Sequence, residues 1–257
     1  MKPFVNCACP AYNQKATICQ WEKAMEEEKR IAGEKAADYI ADGMTVGLGT
    51  GSTAKYLVEE LGRRVRLGLS VTAVATSQAT AALAGQLGIR LAGIDDVERI
   101  DLAIDGVDEI DSRFNAIKGG GGALFREKMV ASLAREVIWI MDSSKPVDAL
   151  GAFPLPVEIL PYGHSHILQA LHSKGLRPAL RMHGGEPFQT DNGNLITDLH
   201  LGRGFDISAV SQHLKATPGV LETGLFLNFC NRIIVGTAGG AVVTENPNPC
   251  GNRQKGL

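Results

Sequence analysis

The sequence has little of what marks membrane, secreted or nucleic-acid-binding proteins. None of its apolar runs approaches the roughly 20 residues that a helix needs to cross a bilayer. The formal net charge is −2, so the basic surface of a nucleic-acid-binding protein is not expected. The N-terminus lacks the apolar core of a secretory signal, because Cys7, Cys9 and Lys15 interrupt it. We therefore expect no membrane or nucleic-acid partner, and cytoplasmic residence.

Cysteine is also scarce, and its distribution is not that of a disulfide framework. The number is odd, and four of the five lie in the terminal segments: Cys7, Cys9, Cys19, Cys230 and Cys250. Cys7 and Cys9 could bind a metal together with Cys19, but this spacing fits no common zinc pattern. The pair His164 and His166 is poorly spaced for ligation from a helix. We expect neither a metal nor a cofactor.

The sequence does contain a regular alternation of helical and strand-like segments from Trp21 to Met141. This alternation predicts an α/β fold built on a Rossmann-like, mostly parallel sheet with helices on both faces. In such sheets ligands bind beyond the carboxyl ends of the strands. Four polar loops follow the predicted strands at that edge: Thr50–Thr53, Thr76–Ser77, Asp105–Asp108 and Asp142–Lys145.

The pattern changes at Gly151, where three prolines within eight residues predict a linker or an edge strand. The strands and helices predicted beyond it suit a smaller α+β, ferredoxin-like domain. Residues 232–237 are typical of a buried strand that returns to the first sheet. We expect a flexible N-terminal leader (1–21), a Rossmann-like catalytic domain (22–150 and 230–245), a small α+β domain (151–229) and a flexible tail (246–257).

The segment from Gly47 to Thr53, Gly-Leu-Gly-Thr-Gly-Ser-Thr, lies between a predicted strand and a predicted helix. Amide groups at a helix N-terminus favour an anion. The dinucleotide fingerprint fails, because Ser52 replaces its third glycine and no acid follows the second strand. The Gly-Lys-Ser/Thr ending of a nucleotide P-loop is absent. A single phosphate fits better, and the alternative is an ordinary tight turn with an N-cap.

The segment from Asp105 to Lys128 combines carboxylates, bases and four consecutive glycines. Asp105 and Asp108 are three residues apart around a turn, so both could face one cavity, although such acids are often helix caps. The run Lys118-Gly-Gly-Gly-Gly122 opens a helix, and its amides could stabilise an oxyanion; a flexible linker is the alternative. Glu127 follows one turn later and would be a solvated charge if the glycine loop did not precede it.

The chain resembles ribose-5-phosphate isomerases of the A type over about residues 26–244. Six motifs carry the resemblance: Gly-Thr-Gly-Ser-Thr at 49–53, Asp-Gly-Val-Asp-Glu at 105–109, Lys-Gly-Gly-Gly at 118–121, Arg-Glu-Lys at 126–128, Asp-Ser-Ser-Lys at 142–145 and Phe-Pro-Leu-Pro-Val-Glu at 153–158. The resemblance implies a metal-free aldose–ketose isomerase of the non-oxidative pentose phosphate pathway. It would interconvert D-ribose 5-phosphate and D-ribulose 5-phosphate through a cis-enediol(ate), as a homodimer or homotetramer.

The same resemblance implies a role for each matching residue. Glu127 matches the general base, and Lys118 with the glycine amides matches the group that stabilises the enediolate. Asp105 and Asp108 match acids that bind sugar hydroxyls and assist ring opening. The implied substrate contacts are Thr50, Gly51, Ser52, Thr53, Asp105, Gly106, Val107, Asp108, Lys118, Gly119, Gly120, Gly121, Lys145 and, by its distance before the phosphate loop, Lys29.

Three other functions remain open on the residues alone. An amino-sugar-phosphate deaminase would want a catalytic histidine in the main domain, whereas every histidine lies at or beyond position 164. A coenzyme A transferase would want a nucleophilic glutamate in its own loop context. A phosphosugar-sensing regulator would usually carry a DNA-binding helical module, for which about 20 residues before the first helix are too few.

Overall fold

The structure is a computed structural model that describes residues 14–249, with side chains from residue 20 onward. Six α-helices lie in this part of the chain: α1 (Gln14–Ala36), α2 (Ser52–Arg66), α3 (Gln78–Gln86), α4 (Leu124–Leu133), α5 (His164–Ser173) and α6 (Ile207–Lys215). Two short 3₁₀ helices, Ala37–Tyr39 and Ile94–Asp96, accompany them. Within residues 14–249, no helix combines the length and the apolarity needed to cross a membrane.

The strands fall into one large sheet and three smaller ones. In chain order they are β1 (Thr45–Leu48), β2 (Thr72–Ala75), β3 (Arg90–Leu91), β4 (Ile100–Gly106), β5 (Glu109–Ile110), β6 (Asn115–Ile117), β7 (Ala134–Asp142), β8 (Leu155–Ile159), β9 (Pro178–Leu180), β10 (Met182–His183), β11 (Glu186–Pro187), β12 (Leu195–Leu199), β13 (Val220–Thr223), β14 (Leu225–Leu227), β15 (Arg232–Thr237) and β16 (Gly240–Glu245).

The large sheet has seven strands in the order β16-β15-β7-β4-β1-β2-β3. All neighbours are parallel except the edge pair β15 and β16, so the predicted mostly parallel sheet is confirmed. The chain leaves β1 toward β2 and β3 on one side, whereas β4, β7 and β15 lie on the other. The carboxyl ends of β1 and β4 therefore flank a topological switch point, which is where open α/β sheets bind ligands.

Helices cover both faces of the large sheet, as the sequence predicts. The helices α1, α2 and α3 pack on one face, and α4 packs on the other beside Trp139 and Phe226. Helix α2 shows why these segments fold as they do. Its buried residues recur at helical spacing, namely Ala54, Leu57, Val58 and Leu61. Truncating a leucine buried in this way typically costs about 2–5 kcal/mol of unfolding free energy.

The second sheet is antiparallel, with the strand order β13-β8-β12-β9. Helix α5 connects β8 to β9, and α6 connects β12 to β13, which gives the β-α-β-β-α-β order of a ferredoxin-like unit. This sheet has its own apolar core, which includes Leu155, Leu171 and Leu214. The predicted ferredoxin-like part is confirmed. We call residues 155–223 the second-sheet unit.

Two short sheets were not foreseen. The strands β5, β6 and β14 form a three-stranded sheet that joins the loop after β4 to the end of the second-sheet unit. The strands β10 and β11 form a hairpin. Strands of two or three residues are too short to produce a periodic signal in the sequence.

Three details differ from the expectations. The proline-rich strand β8 is neither a linker nor an edge, since it pairs with β12 and β13; Pro156 is near its start, and its carbonyl accepts from Gly224 N at 2.7 Å. Helix α1 begins at Gln14, within the expected leader. Asn246, placed in the flexible tail, is buried and donates to Cys230 O at 2.9 Å.

Candidate active site

A cavity of about 640 Å³ opens at the carboxyl edge of the large sheet, beside the switch point between β1 and β4. Its walls come from the middle of α1, the loops after β1, β4 and β7, and the loop before α4. The structure brings nearly all the predicted site residues together here: Lys29, Thr50, Gly51, Ser52, Thr53, Gly106, Val107, Asp108, Lys118, Gly119, Gly120, Gly121, Glu127 and Lys145. Asp105 is the one predicted residue that does not line the cavity.

The loop after β1 leads directly into α2 and forms one wall of the cavity. Gly51 has a φ of +112°, a conformation that side-chain-bearing residues rarely adopt. It has no side chain with which to cap the helix, so the amides of the first turn can face a ligand. The hydroxyl groups of Ser52 and Thr53 belong to the same turn. This geometry suits one phosphate group.

Thr50 holds this loop in place. Its hydroxyl lies 2.7 Å from Thr76 Oγ1, 2.9 Å from Ser77 Oγ and 3.3 Å from Thr80 Oγ1, and its amide donates to Asp105 Oδ1 at 3.0 Å. The loop is therefore fastened to α3 and β4. Sequence reasoning noted Thr76 and Ser77 only as a polar loop, although two hydroxyl residues at a strand end were a signal for this cluster.

Two lysines other than Lys118 contribute positive charge to the cavity. Lys29 on α1 is paired with Glu26, with 2.7 Å between Nζ and Oε1, and Glu26 also accepts from Tyr56 at 2.9 Å. Lys145 lies in the loop after β7. Both cations can attract a phosphate, and Lys29 has to share its charge between the ligand and Glu26.

Lys118 is the centre of the buried part of the site, with 2% of its side chain exposed. Its Nζ lies 2.9 Å from Asp105 Oδ2 and 3.1 Å from Glu127 Oε2, and it donates to Gly106 O at 2.5 Å. The ammonium also lies 5.1 Å from the ring centre of Trp139. Burial disfavours the charged form, but the two carboxylates outweigh it and raise the pKa of Lys118 above its ordinary value.

Glu127 lies in the first turn of α4, where the helix dipole favours a carboxylate. The residue is 3% exposed. Its contact with Lys118 is an ion pair without hydrogen-bond geometry, so Oε2 has no hydrogen-bond partner among the described residues. Burial is the largest influence and raises the pKa of Glu127 to about 8, against the opposing effect of Lys118. Glu127 can therefore carry or release a proton near neutral pH.

The two aspartates occupy different positions. Asp105 lies behind the cavity wall, where it accepts hydrogen bonds from Thr50 N and Gly106 N and pairs with Lys118. Gly49 packs so closely on it that a Cβ would lie 2.0 Å from Asp105 Oδ1. Asp108 lines the cavity and accepts from Gly120 N at 2.8 Å. Asp105 therefore fixes the lysine and the loops, whereas Asp108 can reach a ligand.

The conformation of the glycine loop from Gly119 to Gly122 requires glycine at two positions. Gly119 has a φ of +101°, and a Cβ on Gly120 would lie 2.5 Å from Asp108 Oδ1. Lys118 N donates to Gly224 O at 2.9 Å, which ties the loop to β14 and the second-sheet unit. The loop is therefore held by hydrogen bonds at the cavity wall and is not a flexible linker.

Sequence reasoning missed several residues around the cavity. The middle of α1 contributes Trp21, Glu22 and Met25 to the wall. Asp142 is fully buried and also lines the cavity, and its Oδ2 has no hydrogen-bond partner within the described residues. The three residues of α1 carry no local signal of what they face. Asp142 was visible in a polar loop but received no role.

The charged residues beside Glu127 face the second-sheet unit. Lys128 Nζ donates to Glu222 Oε1 at 2.7 Å and to Thr223 O at 2.6 Å. Arg126 Nε donates to Asn192 Oδ1 at 2.8 Å. Only Glu127 of this triplet turns into the cavity, so the triplet is not the solvated charge run that its composition allowed.

Some of the candidate metal ligands lie within residues 14–249, which the structure describes, and others lie outside them. In the part of the chain that the structure describes, no three His, Cys, Asp or Glu side chains are grouped so that they could hold a metal ion. His164 instead lies at the start of α5, with Nδ1 3.0 Å from Pro161 O. Cys7 and Cys9 lie outside the described residues.

The arrangement combines in one cavity a carboxylate that can exchange a proton, a buried ammonium 3.1 Å from it and a helix N-terminus whose amides can accommodate an anion. The carboxylate can act as a general base toward a carbon acid. The ammonium and the amides of the glycine loop can stabilise the oxyanion that follows. This chemistry is that of proton transfer next to a carbonyl in an anionic ligand.

Comparison with known proteins gives consistent results. The model of the family described as ribose 5-phosphate isomerase A (phosphoriboisomerase A) matches residues 72–240. Ribose-5-phosphate isomerase A of Bifidobacterium adolescentis is 48% identical over 230 residues, which are 88% of this chain and 99% of the relative. That of Limosilactobacillus reuteri is 51% identical over 217 residues, which are 84% of this chain and 96% of the relative.

Solved structures show the same likeness in three dimensions. The ribose 5-phosphate isomerase of Plasmodium falciparum has a TM-score of 0.83 at 38% identity, covering 87% of this chain and 100% of that one. A D-ribose-5-phosphate isomerase in complex with phospho-erythronic acid has a TM-score of 0.82 at 38% identity, covering 86% and 99%. A match of this extent with family, relatives and structures shows that the chain belongs to the ribose 5-phosphate isomerase A family.

Proposed function

We propose that this protein interconverts D-ribose 5-phosphate and D-ribulose 5-phosphate, a step of the non-oxidative pentose phosphate pathway. The observation that carries the proposal is the buried pair of Glu127 and Lys118, 3.1 Å apart, in the cavity that also contains the anion-binding loop. The family and its relatives have this activity in their names, which supports the same conclusion.

The proposed proton transfer uses Glu127 in both directions. Ionised Glu127 removes the proton from C2 of the open-chain aldose, and the electrons of that C–H bond form the C1–C2 double bond of a cis-enediolate. The carbonyl π electrons move to O1. The protonated Glu127 then returns a proton at C1 while a proton passes from O2 to O1, which leaves the carbonyl at C2.

Lys118 is proposed to stabilise the negative charge that develops on O1 and O2. Its ammonium is held by Asp105 and Gly106 O, so it needs little reorganisation during the reaction. The glycine loop supplies amide groups on the same wall. Asp108 is proposed to accept hydrogen bonds from sugar hydroxyls and to assist ring opening, and Asp105 acts on the substrate only through Lys118 and the loops.

The phosphate is proposed to bind at the start of α2, on the Gly51–Thr53 amides and the hydroxyls of Ser52 and Thr53. Lys29 and Lys145 add positive charge there. Binding a group remote from the reacting carbons holds C1 and C2 against Glu127 and Lys118, so part of the binding energy serves the reaction.

We also infer from family membership that the protein works as a homodimer or homotetramer in the cytoplasm. The proposed domains remain residues 22–150 with 230–245 for catalysis and 151–229 as the smaller unit. Sedimentation of the purified chain measures the number of subunits, and a monomer at micromolar concentration would contradict this inference.

Direct measurement of ketose formation from ribose 5-phosphate tests the function. We expect turnover without any added cofactor, and competitive inhibition by phospho-erythronic acid, whose carboxylate has the charge and shape of the enediolate oxygens. Binding of ribose 5-phosphate without turnover would favour the phosphosugar sensor. Turnover of an amino-sugar phosphate in its place would favour the deaminase.

A further inference from the structure

Arg181 of the second-sheet unit reaches the glycine loop. It lies between β9 and β10, and its backbone is fixed because Arg181 N donates to Ile196 O at 2.8 Å. Its Nε and Nη2 donate to the two carboxylate oxygens of Asp198, at 2.9 and 2.5 Å. The remaining Nη1 donates to Gly119 O at 2.9 Å and to Gly120 O at 3.1 Å.

These contacts set the direction of two peptide groups. In a planar trans peptide the N–H points opposite to the C=O. Holding Gly119 O therefore aims Gly120 N–H away from Arg181, and this amide donates to Asp108 Oδ2 at 2.8 Å. Holding Gly120 O aims Gly121 N–H in the same way, and Gly121 lines the cavity. A guanidinium also polarises each peptide group that it binds, which makes these amides better donors.

Asp198 fixes the orientation of the Arg181 guanidinium. A bidentate carboxylate leaves the planar guanidinium one orientation, with Nη1 toward the loop. The side chains of Arg181 and Asp198 are 15% and 20% exposed, so water screens their interaction only in part. Glycine residues resist reorientation less than any others, and Arg181 adds an external restraint to the hydrogen bond that the loop makes within itself, from Gly122 N to Gly119 O at 3.0 Å.

We propose that Arg181 is a positioning residue for the isomerisation, which holds the Gly120 amide on Asp108 and aims the Gly121 amide at the developing enediolate. The proposal rests on the proposed function and adds to it a residue from outside the large sheet. Arg181 does not line the cavity, so it acts through the peptide groups of Gly119 and Gly120 and touches no substrate atom.

A purely structural alternative is that Arg181 docks the second-sheet unit onto the large sheet. Arg126 provides the matched control, because it also spans the two parts of the molecule. Its guanidinium donates to Asn192 Oδ1 at 2.8 Å and to Asp191 O at 3.1 Å and forms an ion pair with Asp191 at 3.4 Å, and none of these bonds reaches the glycine loop. If docking alone matters, Arg126→Ala and Arg181→Ala should have similar effects.

The test compares Arg181→Ala, Arg181→Lys, Asp198→Asn and Arg126→Ala in the full chain. We expect Arg181→Ala to lower kcat by about 10- to 10²-fold with KM changed less than about threefold, since misplacing a catalytic group by ~1 Å has effects of this size. The kcat values of Arg181→Lys and Asp198→Asn should lie between those of wild type and Arg181→Ala. Each variant keeps a cation near the loop, but that cation is no longer oriented by a bidentate pair. Arg126→Ala should keep kcat within about threefold of wild type, as surface pairs usually have small effects.

Ligand binding gives a second readout that a docking role would not change selectively. We expect the carboxylate of phospho-erythronic acid to bind at the Gly121 amide, so Arg181→Ala should weaken binding of this compound by about tenfold on the same argument. Binding of inorganic phosphate at the start of α2 should be unchanged, because Arg181 contacts none of Gly51, Ser52 or Thr53.

Equal losses of kcat in Arg126→Ala and Arg181→Ala would overturn the proposal, and so would a rise in KM alone. Parallel weakening of phosphate and phospho-erythronic acid would overturn it too. If Arg181→Ala does not fold, Arg181→Lys and Asp198→Asn decide by the same criteria. A wild-type chain without ribose 5-phosphate turnover would instead refute the proposed function, so the two failures are distinct.

Discussion

The pH dependence of turnover follows directly from the burial of Glu127. A general base must be ionised, and burial raises the pKa of Glu127 to about 8 in the free protein. The ionised fraction of such a group is about 10% at pH 7, about 50% at pH 8 and about 90% at pH 9. We therefore expect kcat/KM to rise about fivefold from pH 7 to pH 8, and less than twofold from pH 8 to pH 9.

The window from pH 7 to pH 9 isolates this one group. Lys118 remains charged throughout, because its carboxylate partners raise its pKa above the ordinary value. The second pKa of a phosphate monoester is about 6, so the substrate is a dianion above pH 7. A rise of kcat/KM with pH in this range therefore reflects the ionisation of a group on the protein. A rise, and not a fall, is expected when that group acts as a base.

The assay is the initial rate of ketose formation at ribose 5-phosphate concentrations well below KM, in overlapping buffers of constant ionic strength. Glu127→Gln is the control, since its residual rate should lack this rise. A profile that is flat between pH 7 and pH 9, with its rise near the ordinary carboxylate pKa of about 4.5, would refute the assignment of Glu127 as a buried base.

Three further predictions concern the same site. Glu127→Gln should lower kcat at least ~10²-fold with little change in KM, the usual size of acid–base effects, and near-normal kcat would contradict the assignment of the base. Gly49→Ala should lower the unfolding free energy by about 1–3 kcal/mol and impair turnover, because its Cβ would lie 2.0 Å from Asp105 Oδ1. Urea titration measures this, with Gly85→Ala as the control because its Cβ would approach nothing closer than 4.0 Å. Activity should survive EDTA, and a loss that zinc or magnesium restores would show a required metal.

Much of the large sheet could be predicted because its signals are local. The buried face of α2 recurs at helical spacing, and each polar loop directly follows a strand. Parallel strands bring their carboxyl ends to one edge of the sheet. The proximity of Thr50–Thr53, Asp108 and Lys145 can therefore be predicted from the order of strands and loops alone. The burial of Glu127 could not be predicted from its own neighbours in the sequence, since it depends on the glycine loop and on Lys118.

The structural features that could not be predicted from the sequence depend on contacts between residues far apart in the chain. Trp21 and Glu22 line the cavity because α1 packs against the large sheet, and no local sequence pattern records that packing. The position of Asp105 behind the wall follows from its close contact with Gly49. The interaction of Arg181 with the glycine loop requires the packing of two sheets. Pro156 misled the prediction of β8 because proline propensity does not distinguish the beginning of a central strand from an edge.

The bonds around the glycine loop have a consequence for the order of folding. Lys118 N reaches Gly224, and Gly119 O reaches Arg181, so the loop is complete only when far later parts of the chain have folded. Strand β15 must also return between β7 and β16 before the large sheet is whole. Contacts between residues so far apart form slowly, because a long stretch of chain must be closed first. During synthesis Lys118 is thus made early but gains its final contacts among the last events, and a nascent chain that ends before Gly224 lacks the hydrogen bond that anchors Lys118 N.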